Sequence, residues 1–369
     1  MINRKAIGYI TANYTSKEHS ALLESRPLAS VPFMGRYRLI DFPLSNMMNA
    51  GIRTVGVVLP GNYRSLVDHL GSGREWELDR KKGGLFLLQG SAYGTAKKGI
   101  RFLLRDISVN KMMFQRASEP YVVMSATNIV FNMDLSNVID AHERSGAGIT
   151  MIYRKAERPL DDVMKLNIGD AGRVASFESG CAWGDNEFLD CFIINRDLLL
   201  QICEEYESID YLDLFDAIRS DFGRIDVCTY EFKGLAVGMF SEATYYRRSM
   251  EMLDPDTMHQ LFTHERPIMT KAHDVPPAKY SAGSSACNSF ISAGCRIEGT
   301  VRDSILSRDV VVESGAYVVN SIIMQGCTIK RGARVENAII DKNNIVAAQT
   351  ELRGTPDHVL VVPKVALEQ

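Results

Sequence analysis

No apolar run in the chain approaches the roughly 18 residues that a membrane-spanning helix requires. No charge of one sign dominates either: 42 lysines and arginines stand against 45 aspartates and glutamates, for a net charge of −3. Such a balance, with no basic stripe, excludes the electrostatic footprint of a nucleic-acid binder. The seven cysteines are odd in number and contain no C-x-x-C pair. Neither a disulfide framework nor a metal cage is therefore expected, and they read as buried free thiols in a reducing compartment. His142-Glu143 and His264-Glu265 do not extend into a zinc motif and are expected at the surface or at helix caps. Trp76 and Trp183 lack aromatic partners spaced as a base-stacking platform, which leaves packing as their role. The opening residues Met1–Lys5 lead straight into a strand-like run rather than a signal-peptide core, so a cytoplasmic location is expected. The most informative scarcity is glycine near the start: none occurs between Gly8 and Gly35.

What is present is a chain of 369 residues, 46% hydrophobic, long enough for two domains with sizeable cores. Up to about residue 275, short β-rich runs alternate with helical stretches. Ala6–Ile10, Thr54–Leu59, Tyr121–Ser125, Ile149–Tyr153 and Phe188–Ile194 read as buried strands. Asn62–Leu70, Thr95–Leu104, Asp134–Arg144 and Tyr211–Ser220 carry apolar residues at helical spacing. Asp134 sits where a helix N-cap is expected. This alternation predicts an α/β domain over residues 1–275, a mostly parallel sheet covered on both faces, with ligands beyond the carboxyl ends of the strands.

The segment Asp274–Tyr280, with prolines at 276 and 277, marks a boundary, and residues 276–369 follow a different rhythm. Glycine, a small or polar residue, any residue, then valine or isoleucine recurs at Gly294–Ile297, Gly315–Val318, Gly326–Ile329 and Gly332–Val335. Aliphatic residues stand six apart at Ile291/Ile297, Val312/Val318 and Ile329/Val335. That period suits a left-handed parallel β-helix, with one aliphatic residue inward per flat face and glycine at the corners. Its open ends would be a natural oligomerisation surface. An ordinary antiparallel sheet is the alternative.

The stretch Pro32–Asn46 (PFMGRYRLIDFPLSN), followed by Asn49-Ala-Gly-Ile52, resembles the ADP-glucose pyrophosphorylases, the glucose-1-phosphate adenylyltransferases of glycogen and starch synthesis. Asp68-His-Leu70, Gly94-Thr-Ala96, Pro276–Tyr280 and the terminal repeat carry the resemblance along the whole chain. It implies a Rossmann-like nucleotidyltransferase domain, a C-terminal left-handed parallel β-helix and a tetrameric assembly. Active members transfer an adenylyl group from ATP to glucose 1-phosphate, which needs phosphate-binding amides, cations and a held Mg²⁺.

Each of those requirements meets a break. The family's glycine-rich loop after the first strand is replaced by Ala12–Glu18, whose side chains should block close backbone approach to phosphates. The lysine of its R-x-K-P motif becomes Leu28 in Arg26-Pro-Leu-Ala29. Its G-D-H metal motif reads Ala126-Thr127-Asn128, and its second metal-binding aspartate aligns to Gly238. Asn128 or Ser125 could offer only a neutral oxygen, where Mg²⁺ prefers anionic ligands. The lysine of the E-K-P motif becomes Ser179, and the aspartate of G-T-A-D-A becomes Lys97. The pattern resembles the non-catalytic GlgD type of subunit, which accompanies a catalytic GlgC-type subunit in some Gram-positive bacteria.

By spacing from the same motif, Arg26, Arg38 and His69 match the family's anion-effector site, so a phosphorylated metabolite is the implied ligand. Arg38 could equally pair with Asp41 to fix its loop. Gly71-Ser-Gly73 lacks the third glycine of a dinucleotide fingerprint and reads as a turn, and Lys97-Lys98, near a helix start, could reach a phosphate but reads first as a solvated face. The expectation is a regulatory subunit with no catalytic residues, metal or cofactor of its own, Mg²⁺ being confined to the catalytic partner. It would assemble with that partner in a heterotetramer, or form homo-oligomers alone. An active sugar-1-phosphate nucleotidyltransferase with a rearranged site, and a stand-alone sugar-phosphate or nucleotide sensor, are the competing readings.

Overall fold

The computed structural model describes residues 5–12, 20–90, 100–207, 212–220, 222 and 224–364. Asn13–Glu18, Lys97 and Lys98 lie outside them. In chain order the first domain comprises β1 (Ala6–Thr11), β2 (Pro32–Phe33), β3 (Tyr37–Arg38), α1 (Asp41–Asn49), β4 (Thr54–Leu59), α2 (Arg64–Leu70), β5 (Gly84–Gln89), α3 (Leu104–Val109) and α4 (Lys111–Gln115). There follow β6 (Tyr121–Ser125), β7 (Ile129–Phe131), α5 (Leu135–Ser145), β8 (Ile149–Lys155), β9 (Leu160–Ile168), β10 (Val174–Cys181) and β11 (Asn186–Asn195). The domain closes with α6 (Arg196–Glu205), α7 (Leu214–Ser220), β12 (Val227–Glu231), β13 (Ala236–Gly238), α8 (Glu242–Glu251) and α9 (Pro255–Leu261).

The main sheet runs β10-β9-β11-β6-β1-β4-β5, with β8 joining β11 and β12 joining β8. From β6 through β1 and β4 to β5 it is parallel, and β11 then enters antiparallel to β6. Every residue of β1 is buried, as expected for a strand covered on both faces. The helices carry their own stop and start signals. Asp134 caps α5 by accepting from the Ser136 N–H, and Gly146 ends it at φ 64°. A Ser241/Thr244 capping box opens α8, and Asp254 followed by Pro255 opens α9.

From Lys279 onward the chain coils through three five-stranded parallel faces, the left-handed parallel β-helix expected from the repeat. Ile297, Val312, Ile329 and Val346 stack inward on one face, Val301, Val318 and Val335 on the second, and Leu306, Ile323 and Ile340 on the third. The six-residue spacing therefore steps from one face to the next. Gly294, Gly315, Gly326 and Gly332 all have φ between 70° and 80°, so the repeated glycines occupy left-handed corners. Asp309, Asn320, Asn337 and Asn343 take positive φ at other corners, where short polar side chains tolerate that conformation.

Several expectations change. Of the helix expected over Thr95–Leu104, residues 95–99 lie outside the described residues; Ile100–Leu103 are not helical, Arg101 and Phe102 donating their backbone N–H groups to Asp213, and α3 starts at Leu104. His142 is buried rather than superficial, bonded to Thr150 and Asn195 on neighbouring strands. Trp76 is buried, but Trp183 is 77% exposed in the turn between β10 and β11 and packs against little. All seven cysteines are free, and five are buried; Cys228 is half-buried and Cys287 exposed. Burial pushes the Cys181, Cys191 and Cys327 thiols up to about 12, so they carry no thiolate chemistry.

Candidate functional site

Two positions expected to lack metal-binding aspartates come together. β13 pairs antiparallel with β7, setting Gly238 opposite Ile129, and the Met239 N–H donates to the Asn128 carbonyl. Thr127 and Gly238 thus flank one cleft. A Cβ on Gly238 would fall on the ring of Phe240, which occupies the space an acidic side chain would need. Thr127 is fully buried, and neither its Oγ1 nor the Asn128 Oδ1 has a hydrogen-bond partner among the described residues.

The anionic group in this cleft is Asp190, at a bulge in β11 with φ 49°. Its carboxylate is already neutralised: Arg101 Nε lies 2.7 Å from one oxygen, and the Asn128 amide donates to the other at 2.7 Å. Beside it, Glu187 is buried against Arg154 at 2.8 Å; burial pushes its pKa up and the guanidinium counters. This donor set does not fit a magnesium ion. Guanidinium groups already balance Asp190 and Glu187, the Thr127 and Asn128 oxygens are neutral, and an aromatic ring fills the Gly238 side. Among the described residues no three His, Cys, Asp or Glu side chains converge as a metal cage.

Of the other expected breaks, Leu28 lies next to Phe240 and Ser179 lies apart. Leu28 lies in the 3-10 turn Leu28–Ser30 and lines, with Leu22, Met239, Phe240 and Tyr245, a cavity of only about 20 Å³. Such a space holds about one water, not a phosphate. Glu242 adds a negative charge there, accepting from Ser20 Oγ at 2.8 Å and lying 3.4 Å from the Leu22 N–H. Ser179 is exposed on β10 at the mouth of a separate cleft of about 230 Å³ that includes Arg101, Asp213 and Asp216.

The three effector-site candidates gather at the junction between the domains, in different environments. Arg26 is buried, and its Nη2 donates to both carboxylate oxygens of Asp341 in the β-helix, at 2.8 and 2.6 Å. Arg38 donates to the Ser65 carbonyl, while its backbone N–H donates to Asp41. His69 is buried 2.6 Å from the same Asp41; burial lowers its pKa, with Asp41 opposing. Asp41 is therefore tied to the Arg38 backbone and to His69 rather than to the Arg38 guanidinium. Lys342, beside Asp341, joins the cluster: burial, then Arg38 and Arg26, bring its pKa down to about 7.

Compared with known proteins, residues 22–178 match the nucleotidyl transferase family and residues 276–357 the GlmU-like C-terminal hexapeptide family. The chain is 33% identical over 366 residues to the glycogen biosynthesis protein GlgD of Bacillus subtilis (strain 168), covering 99% of this chain and 97% of that one. This chain belongs to the GlgD family. GlgD of Geobacillus stearothermophilus is 35% identical over 319 residues, 86% of this chain and 84% of its own. The glucose-1-phosphate adenylyltransferase of Bacillus cytotoxicus (strain DSM 22905 / CIP 110041 / 391-98 / NVH 391-98) is 26% identical over 376 residues, covering 97% of this chain and 98% of that one.

For this GlgD-family chain, sequence reading missed Asp190, Arg101, Phe240, Glu242, Asp341 and Lys342. Phe240 lies two residues beyond Gly238, and a bulky aromatic beside an aspartate-to-glycine change was the available signal. Arg26 and Asp341 are 315 residues apart, and no local pattern announces their pairing.

Proposed function

We propose that the chain is a regulatory, catalytically degenerate subunit of ADP-glucose pyrophosphorylase in glycogen biosynthesis, acting in the cytoplasm with a GlgC-type catalytic subunit. The observation that carries this reading is the cleft around Thr127 and Gly238. The fold that brings the two positions together is intact, yet a phenyl ring lies where a side chain at Gly238 would go, and the carboxylate beside Asn128 is held by Arg101, which supports a site without a metal. Electrostatic stabilisation of phosphoryl transfer requires preorganised positive charge facing the reacting oxygens. Here the guanidinium is turned onto a carboxylate of the chain itself, and Glu242 places a further negative charge by the blocked pocket.

A chain that makes no product can still act by binding one conformation of its partner more tightly than another, and it shifts the partner by that difference alone. The junction cluster supports a second element of regulation. With Arg26 committed to Asp341, Arg38 and Lys342 are among the cationic groups available to receive an anion such as a phosphorylated metabolite, with His69 as a neutral donor.

Mixing the purified chain with the catalytic subunit tests the proposal: co-elution as a hetero-oligomer and altered adenylyltransferase kinetics are expected. Separate elution with unchanged kinetics would sink it. Calorimetry with a sugar phosphate, on the chain and on Arg38→Ala, separates a subunit that also senses the metabolite from a pure scaffold.

A further inference from the structure

At the β5 edge of the main sheet, opposite the β10 end, lies a groove of about 820 Å³ lined by β4, β5, α3 and α4. Among the described residues β5 pairs with β4 alone. Parallel strands normally lie buried under helices on both faces, yet Phe86 is 44% and Leu87 41% exposed on opposite faces of β5. Val109 at 58% and Met112 at 56% exposure stand across the groove, at the end of α3 and on α4. The floor is built rather than accidental: Met113 and Leu88 lie so close over Gly56 of β4 that a Cβ there would meet both, at 2.6 and 2.5 Å.

The rim is predominantly basic. Arg53, Arg80, Lys82 and Arg116 surround the apolar floor, and Glu119 is the only carboxylate among the lining residues. Arg53 reaches Glu77 at 3.1 Å, whereas Arg80, Lys82 and Arg116 have no carboxylate partner among the described residues. Four cations around exposed Phe, Val and Met, in a chain of net charge −3, form a local departure from the charge of the whole. A second copy docked through the same face would set basic rim against basic rim. Charge complementarity instead requires an occupant with apolar side chains at its centre and carboxylates at its edge. Aromatic residues, methionine and arginine are enriched in protein–protein contacts, and methionine adapts to the surface it meets.

We propose that this groove is the docking surface for the catalytic chain, through an apolar patch of that chain rimmed by acidic residues. The inference rests on the regulatory-subunit reading and names where the contact is made. Phe86 and Met112 anchor the apolar centre; Arg80, Lys82 and Arg116 steer and register the encounter.

The test is binding of the purified catalytic subunit to the full chain, measured by sedimentation or surface capture at low and high salt. Phe86→Glu and Met112→Glu are expected to weaken association at least tenfold, with thermal unfolding within a few degrees of the parent because both side chains are exposed. Arg80→Glu/Lys82→Glu is expected to slow association and flatten its salt dependence. Parent binding with all these variants unchanged overturns the groove assignment and leaves the regulatory reading standing. No binding by the parent overturns both. Variants that lose only self-association show a second copy in the groove and also overturn the assignment.

Discussion

Arg26 and Asp341 are both nearly inaccessible and each is the other's counter-charge, so removing one strands the other in a low-dielectric junction. Arg26→Ala should cost about 3–5 kcal/mol in urea unfolding. A volume-matched apolar pair at both positions should recover most of that loss, because desolvating the ion pair offsets much of its attraction. The cleft makes a second demand at the same scale. Thr127→Asp/Gly238→Asp restores carboxylates to the two aligned positions, but one must displace the Phe240 ring and both must be buried beside Asp190. The double variant should lose several kcal/mol of stability, read as a lower melting temperature, and Mg²⁺ should raise that temperature by no more than it does in the parent. A magnesium-dependent rise confined to the variant would show that the cleft retains a metal geometry. Glycine scarcity and the aspartate substitutions were legible as letters. The Arg101–Asp190 pair was not, because its two residues lie far apart in the sequence and no local pattern announces their contact.

Among the elements, the turn between β2 and β3 connects the most recognisable stretch of sequence to a structural duty. Gly35 has φ 64°, and a Cβ there would meet Ser292 Oγ at 2.6 Å and the Leu306 carbonyl at 3.0 Å, both in the β-helix. Tyr245 OH donates to the Pro32 carbonyl and Tyr246 OH to the Asn320 carbonyl, so α8 bolts the same turn and the β-helix to the first domain. Gly35→Ala should therefore destabilise by about 1–3 kcal/mol, combining a left-handed backbone penalty with loss of close approach. Equilibrium urea unfolding would measure it. The buried strands β4 and β6 were read from sequence to the residue, since an apolar run covered on both faces has a strong signal. β5 was not, although GLFLLQ is apolar, because an edge strand flanked by glycine and basic residues resembles a loop. The β9–β10 pair escaped for a different reason: charged and polar residues alternate through it, and its stability comes from pairing with its neighbours.

For the whole molecule, buried histidines set the acid limit. His69 and His142 have pKa values below the ordinary 6.5, chiefly through burial. The unfolded chain therefore binds more protons than the folded one as pH falls through 6.5, and stability is lost in that direction. Lys342 extends the trend upward: between about 7 and its ordinary 10.5 the unfolded state again holds the extra proton. The buried thiols of Cys181, Cys191 and Cys327, raised to about 12, act the other way, because the unfolded thiols lose their protons first as pH rises. Melting temperature should therefore rise from about pH 5.5 to about pH 8 and fall beyond it, a profile that scanning calorimetry can record.

At this scale the architecture was largely written in two rhythms, strands alternating with helices and then glycine-punctuated hexads. The junction between them was legible only as candidate residues, because Arg26, Arg38 and His69 take different partners once the two domains meet. The central claim is that the fold persists around a cleft unable to transfer an adenylyl group. The most direct measurement is pyrophosphate release by the isolated chain given ATP, glucose 1-phosphate and Mg²⁺. The account predicts no release above the protein-free control at any Mg²⁺ concentration; Mg²⁺-dependent release that co-purifies with the chain and is lost in Asp190→Asn would contradict it.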